Sequence, residues 1–112
     1  MGDGVMAVFS AAREAIEGAL GCRASAEGMG LALHLGIHAG DVTREPDNVY
    51  GGAVNIASRI CALCEPGEIL VSATIRELAR TSAGVMFEDR GEQTLKGIAD
   101  AVRVYAVRKV GA

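Results

Sequence analysis

The sequence predicts an α+β domain with helices packed on a mostly antiparallel sheet, and three observations carry that expectation. Residues 10–27 repeat their apolar positions with the period of a helix. Leu31 to His38 alternates strictly, as a strand with two unlike faces does. Short apolar runs then interleave with helical patterns and Pro/Gly turns down to the C terminus. A chain that switches period this often buries its apolar faces by layering helices on a sheet.

The elements follow in order. Val5 to Phe9 reads as a buried strand leaving the turn Gly2-Asp3-Gly4. Ser10 is placed to cap a helix reaching about Glu27, with Ala12, Ala15, Ile16, Ala19 and Leu20 on one face and Gly28 and Gly30 ending it. In the next strand Leu31, Leu33, Leu35 and Ile37 share one face, and His34 and His38 the other. Gly40-Asp41-Val42 suggests a second short strand, and Glu45-Pro46-Asp47-Asn48 a turn. A helix from Gly52 to Leu63 closes at Glu65-Pro66-Gly67-Glu68. Ile69 to Ser72 is a strand, Ala73 to Arg80 a short helix and Val85 to Glu88 a strand. Gln93 to Leu95 and Val102 to Val107 form a closing hairpin.

Composition bounds the function classes. With 112 residues, half of them apolar, the chain is at most one domain with a modest core. Tryptophan is absent and aromatics are 4%, so that core is expected from Val, Ile, Leu, Ala and Met. The formal charge of −3 and the scarcity of stacking aromatics argue against a nucleic-acid partner. One small nucleotide, held by a few Lys and Arg residues, is compatible with both. No run reaches the roughly 18 apolar residues of a membrane span. Three cysteines offer no disulfide framework and suit a reducing, cytoplasmic compartment.

Two segments about fifty residues apart carry the chemistry. Gly2-Asp3-Gly4 sets a carboxylate on a tight turn at the mouth of a strand. Val49-Tyr50-Gly51-Gly52-Ala53-Val54-Asn55-Ile56-Ala57-Ser58-Arg59 sets an amide and a guanidinium one helical turn apart. An acid able to hold a cation, and two donors able to hold a polyphosphate, suggest nucleotide chemistry. Taken singly, each has an ordinary reading: a hairpin turn for Asp3, a solvated helix face for Asn55 and Arg59, a surface turn for Lys96-Gly97. The two histidines cannot share an ion in an extended strand, where four residues separate them by roughly 13 Å. Cys61 and Cys64 fall inside a helix with no second ligand pair, so packing is their expected role.

Taken together, these segments resemble the catalytic domain of class III adenylate and guanylate cyclases. Gly2-Asp3-Gly4-Val5-Met6-Ala7-Val8-Phe9 is similar to the family's metal-ligand turn and strand, and residues 51–59 to its Val-Asn-x-Ala-x-Arg helix. Gly36-Ile37-His38-Ala39-Gly40 is similar to its Gly-Ile-His-x-Gly strand, which is mostly architectural. Thr94-Leu95-Lys96-Gly97, followed by Val104-Tyr105-Ala106-Val107, is similar to its closing strands. The resemblance implies a ferredoxin-like cyclase homology fold lacking its first strand-helix-helix-strand segment. Residues 1–112 are then the C-terminal part of one catalytic domain.

It also implies roles. Asp3 is the expected ligand of a divalent metal (Mg²⁺ or Mn²⁺). Asn55 is expected to orient the ribose, and Arg59 to stabilise charge building on the phosphate. Lys96 is expected to contact the outer phosphates, and Asn48 stands at a purine-selecting position. His34 stands where the family often has a phosphate-contacting arginine. The implied activity is that of a phosphorus-oxygen lyase in cyclic-nucleotide signalling, making cAMP from ATP, or the guanosine equivalent from GTP, with release of pyrophosphate. The site is expected to be shared across a homodimer or higher homo-oligomer, and a lone chain holding one of two metal carboxylates is expected to be inactive. The alternative is a non-catalytic, cyclase-like dimerisation or regulatory module.

Overall fold

The computed structural model describes residues 11–40, 43–45, 48–50, 52–81 and 84–109. The expected strand Val5–Phe9, together with Asp3 and Ser10, lies outside them. The first helix, α1 (Ala12–Gly28), takes Ala11 at its N-cap position with no side-chain cap. It stops in two crossed bonds, Leu31 N–H to Ala26 O at 2.8 Å and Gly30 N–H to Glu27 O at 3.0 Å. Gly30 is at φ 78°. That pattern uses a left-handed residue to satisfy the helix's last carbonyls, which is why glycine stands there.

The chain continues as β1 (Leu35–Ile37), β2 (Thr43–Glu45), β3 (Asn48–Tyr50), α2 (Gly52–Leu63), β4 (Ile69–Ser72), α3 (Ala73–Ala79), β5 (Val85–Gln93) and β6 (Val102–Lys109). The described residues form a four-stranded sheet ordered β1-β4-β6-β5, and β2 and β3 form a separate antiparallel pair. β1 pairs parallel with β4, whereas β4 with β6 and β6 with β5 are antiparallel. A parallel pair requires a crossover. The β2–β3 pair and α2 supply it, and α2 packs against both strands it connects.

Two cores result, one on each face of the sheet. Ile16 and Ala19 of α1, Ile69 and Val71 of β4, Ile75 and Ala79 of α3, and Val107 form the first. Ile60 of α2, Leu70, Leu95, Val104 and Ala106 form the second. Central β4 alternates between them and is buried throughout. Each fully buried Ile or Leu contributes roughly 1.5–3 kcal/mol by leaving water.

Several expectations need correction. The strand expected over Leu31–His38 is extended only at Leu35–Ile37, and Leu31 is 56% exposed. β4 begins only after the Pro66-Gly67 turn, and residues 31–34 join no ladder among the described residues; Leu33 O accepts one bond from Gly67 N–H. Of the short strand expected at Gly40–Val42, residues 41 and 42 lie outside the described residues; the strand described after them is Thr43–Glu45. Arg80 is the C-cap of α3 rather than its last turn. β5 runs on past Glu88 to Gln93, so the closing hairpin is β5–β6 in full and Leu95 folds inward beyond it. Methionine was expected in the core, yet Met29 and Met86 are exposed.

Charged side chains tie the strands' outer parts together. Arg90 bridges Glu68 and Glu88, Arg108 reaches Glu88, and Arg103 grips Asp89 with two nitrogens. The Glu65 N–H, and after it Arg90, hold the Glu68 carboxyl below the usual carboxylate range.

Candidate functional site

The site is built on α2. Ile60 is buried and Ile56 half-buried against the second core, which fixes which side of the helix faces the sheet. Asn55 and Arg59, one turn apart, are both exposed. The helix sits unusually close to β1. A Cβ added to Gly36 would stand 2.4 Å from Cys61 N, 2.7 Å from Ala57 O and 2.8 Å from Cys61 Cα. All three are backbone atoms, so only glycine fits.

The C-terminal end of α2 is tied to the same strand. Cys61 Sγ donates to His34 O at 3.6 Å and Cys64 Sγ to Leu35 O at 3.3 Å. The His34 ring, with Nδ1–H donating, lies 3.4 Å from Cys64 O. Cys61 is in the helix and Cys64 one residue past its end. Burial above all pushes the Cys64 thiol up to about 11, so it stays protonated, donates its hydrogen and packs. That is the role expected of the pair.

The two histidines have separate partners. His38 Nδ1 lies 2.7 Å from Ser72 Oγ. Ser72 is itself buried and accepts the Ile75 N–H as the N-cap of α3. Its own proton is therefore free for Nδ1, which suits a neutral ring, and burial lowers the His38 pKa.

Lys96 is exposed in a turn closed by Ile98 N–H to Leu95 O at 3.0 Å, with Gly97 at φ 80°. Leu95, its neighbour, is buried in the core that holds Ile60. The fold thus sets the Lys96 turn and α2 on the same side of the sheet. Asn48 opens β3 opposite Glu45, and β3 touches α2. Asp3 lies outside the described residues. Among the described residues no three His, Cys, Asp or Glu side chains converge as a metal site, so they do not by themselves fit a divalent cation. The glycine contact was partly legible: a glycine inside a strand signals close approach of another backbone, but the sequence could not say that the backbone is α2. Nothing in the sequence signalled the His38–Ser72 bond or the Arg90 bridge.

The sheet carries helices on both faces, with the exposed Asn55/Arg59 pair and the Lys96 turn on one side. Residues 5–109 match the Adenylate and Guanylate cyclase catalytic domain, and the chain belongs to that family. It is 30% identical over 112 residues to a Rhizobium meliloti (strain 1021) protein named as an adenylate cyclase, covering 93% of this chain and 19% of that one. It is 31% identical over 80 residues to the pH-sensitive adenylate cyclase of Mycobacterium tuberculosis (strain CDC 1551 / Oshkosh), covering 69% and 20%. The chain thus spans about a fifth of these curated relatives. The crystal structure of an adenylate/guanylate cyclase/hydrolase from Silicibacter pomeroyi superposes with a TM-score of 0.87 at 29% identity, covering 99% of this chain and 70% of that one. The mixed fold of helices on a sheet is that of a cyclase domain, as the sequence predicted.

Proposed function

We propose that this chain is the C-terminal part of a nucleotidyl cyclase catalytic domain that forms cAMP from ATP. The observation that carries the reading is the exposed Asn55/Arg59 pair on a helix locked to β1, with Lys96 on the same side of the sheet. In the reaction the ribose 3′-oxygen bonds to the α-phosphorus, the bond from that phosphorus to the bridging oxygen breaks, and pyrophosphate leaves. The 3′-hydroxyl proton passes to solvent water. Asn55 holds the ribose so that the 3′-oxygen is aimed. Arg59 places fixed donors on charge that develops at phosphorus. Lys96 holds the outer phosphates, and Asn48 is the residue proposed to select the base. The family generally uses divalent metals, and Asp3 is the residue through which Mg²⁺ or Mn²⁺ joins the proposal. ATP is preferred over GTP because the relatives found by sequence are named adenylate cyclases.

The site is proposed to form between two copies, Asp3 from one and Asn55 with Arg59 from the other. Incubating the purified chain with ATP or GTP and Mn²⁺ or Mg²⁺, with chromatographic assay of the cyclic nucleotide, tests the reading. The isolated chain should turn over negligibly. The same chain preceded by the family's N-terminal segment, with its further carboxylate, should make cAMP. Product from neither form, under any metal, would leave the non-catalytic module as the better account.

A further inference from the structure

The geometry points to Gly36 as a positioning residue: by admitting α2 against β1 without a side chain between them, it sets where Asn55 and Arg59 stand relative to the Lys96 turn. The inference rests on the proposed cyclase function for its consequence, though not for its geometry. Gly36 meets the helix at Ala57 and Cys61. Asn55 and Arg59 lie two residues from Ala57 along the helix, which places them on its opposite side. Movement of α2 away from the strand therefore carries both outward by the same amount.

The size of that movement follows from the contact. Opening 2.4 Å to the 3.4 Å of ordinary contact moves the helix about 1 Å. No flexible side chain can give way, because Cys61 N, Cys61 Cα and Ala57 O are all main chain. The Lys96 turn stays with the sheet, since the core that holds Leu95 includes Leu70 of β4 and Val104 and Ala106 of β6 beside Ile60 of α2. A displacement of about 1 Å in a group acting on a reacting centre can cost about 10²-fold in rate.

The test has two arms. In the 112-residue chain carrying Gly36→Ala, a crystal structure should show α2 displaced from β1 by about 1 Å, with the Cys61–His34 and Cys64–Leu35 sulfur bonds lengthened or lost. In the form active on ATP, Gly36→Ala should lower kcat about 10²-fold with KM within about 3-fold. Ile75→Ala, a cavity on the other face of the sheet, should lose comparable thermal stability and keep kcat, with all assays run well below every Tm. If Gly36→Ala does not fold, Ile60→Phe replaces it. That wedge beneath the same helix leaves Gly36 in place and should give the same loss of kcat.

An α2 that stays put in Gly36→Ala overturns the inference. So does a displaced α2 with normal kcat, or an Ile75→Ala that loses kcat equally. A wild type that makes no cyclic nucleotide sinks the proposed function instead, and the displacement arm still decides the geometry.

Discussion

The two faces of the sheet are built to different tolerances. On one face, α1 and α3 press Ile16, Ala19, Ile75 and Ala79 onto Ile69, Val71 and Val107, with half-buried Leu35, Ile37, Phe87 and Tyr105 filling the margins. Contacts there are between side chains, which can repack at modest cost. On the other face, among the described residues, α2 covers β1 and β4. It is registered by main-chain contact at Gly36 and by sulfur-to-carbonyl bonds. That face carries Asn55, Arg59 and Lys96. Both faces supply stability, and the unadaptable one also holds the groups proposed to act on the nucleotide.

The largest expected effect is on the second face. Arg59→Ala, in the form active on ATP, should lower kcat about 10²-fold, roughly 3 kcal/mol, with little change in KM. Mixing Asp3→Ala with Arg59→Ala subunits should recover part of the activity, because one of the two shared sites is then intact. Heterodimers that form and stay inactive would show that the site is not shared between copies.

Cavities sharpen the comparison. Ile75→Ala and Ile60→Ala each empty a fully buried position, 2% and 0% exposed, and each should cost about 2–5 kcal/mol in urea unfolding. The stability losses should be alike and the kinetic ones unlike: Ile60→Ala also lets α2 settle and lowers kcat, whereas Ile75→Ala does not. Equal kinetic losses would mean that the two faces are not separable in this way.

Much of this was legible in the sequence. The bounds of α2 and β4 coincide with the sequence reading, because helical period, a Pro-Gly turn and a three-residue apolar run agree locally. Asn55 and Arg59 share an exposed face because i,i+4 spacing dictates it. What failed was set by partners distant in sequence. Leu31 has the alternation of a strand but, among the described residues, no strand to pair with. Gln93 continues β5 because Val102 lies opposite it. Methionine is as apolar as a core needs, yet Met86 is exposed, alternating along β5 with Val85 and Phe87, which pack on the first core. No local pattern announces that Ser72 both caps a helix and bonds a histidine from another strand.

That histidine gives the smallest and most specific prediction. His38 lies half-buried beside Ser72, on the side of β1 that meets α2, and burial holds its pKa below 6.5. In the unfolded chain the imidazole regains its ordinary affinity near 6.5. Between the folded and unfolded values, the unfolded chain therefore binds more protons than the folded one. Stability from this group is complete above 6.5 and declines as pH falls through that interval. Below the folded value it is lost and changes no further. One proton bounds the slope at about 1.4 kcal/mol per pH unit. Glu68, Glu88 and Asp89 act with the same sign, since arginines and backbone N–H groups hold them low. Their interval begins lower, at 4.5 for the glutamates and 3.8 for the aspartate. His38→Gln removes the titration while its amide oxygen can still accept the Ser72 hydroxyl. Urea midpoints at about pH 7.5, 6.5, 5.5 and 5 should slope downward for the native chain and lie flatter for the variant. Equal slopes would place the proton uptake elsewhere, and the His38–Ser72 bond would then be a packing contact rather than a titrating one.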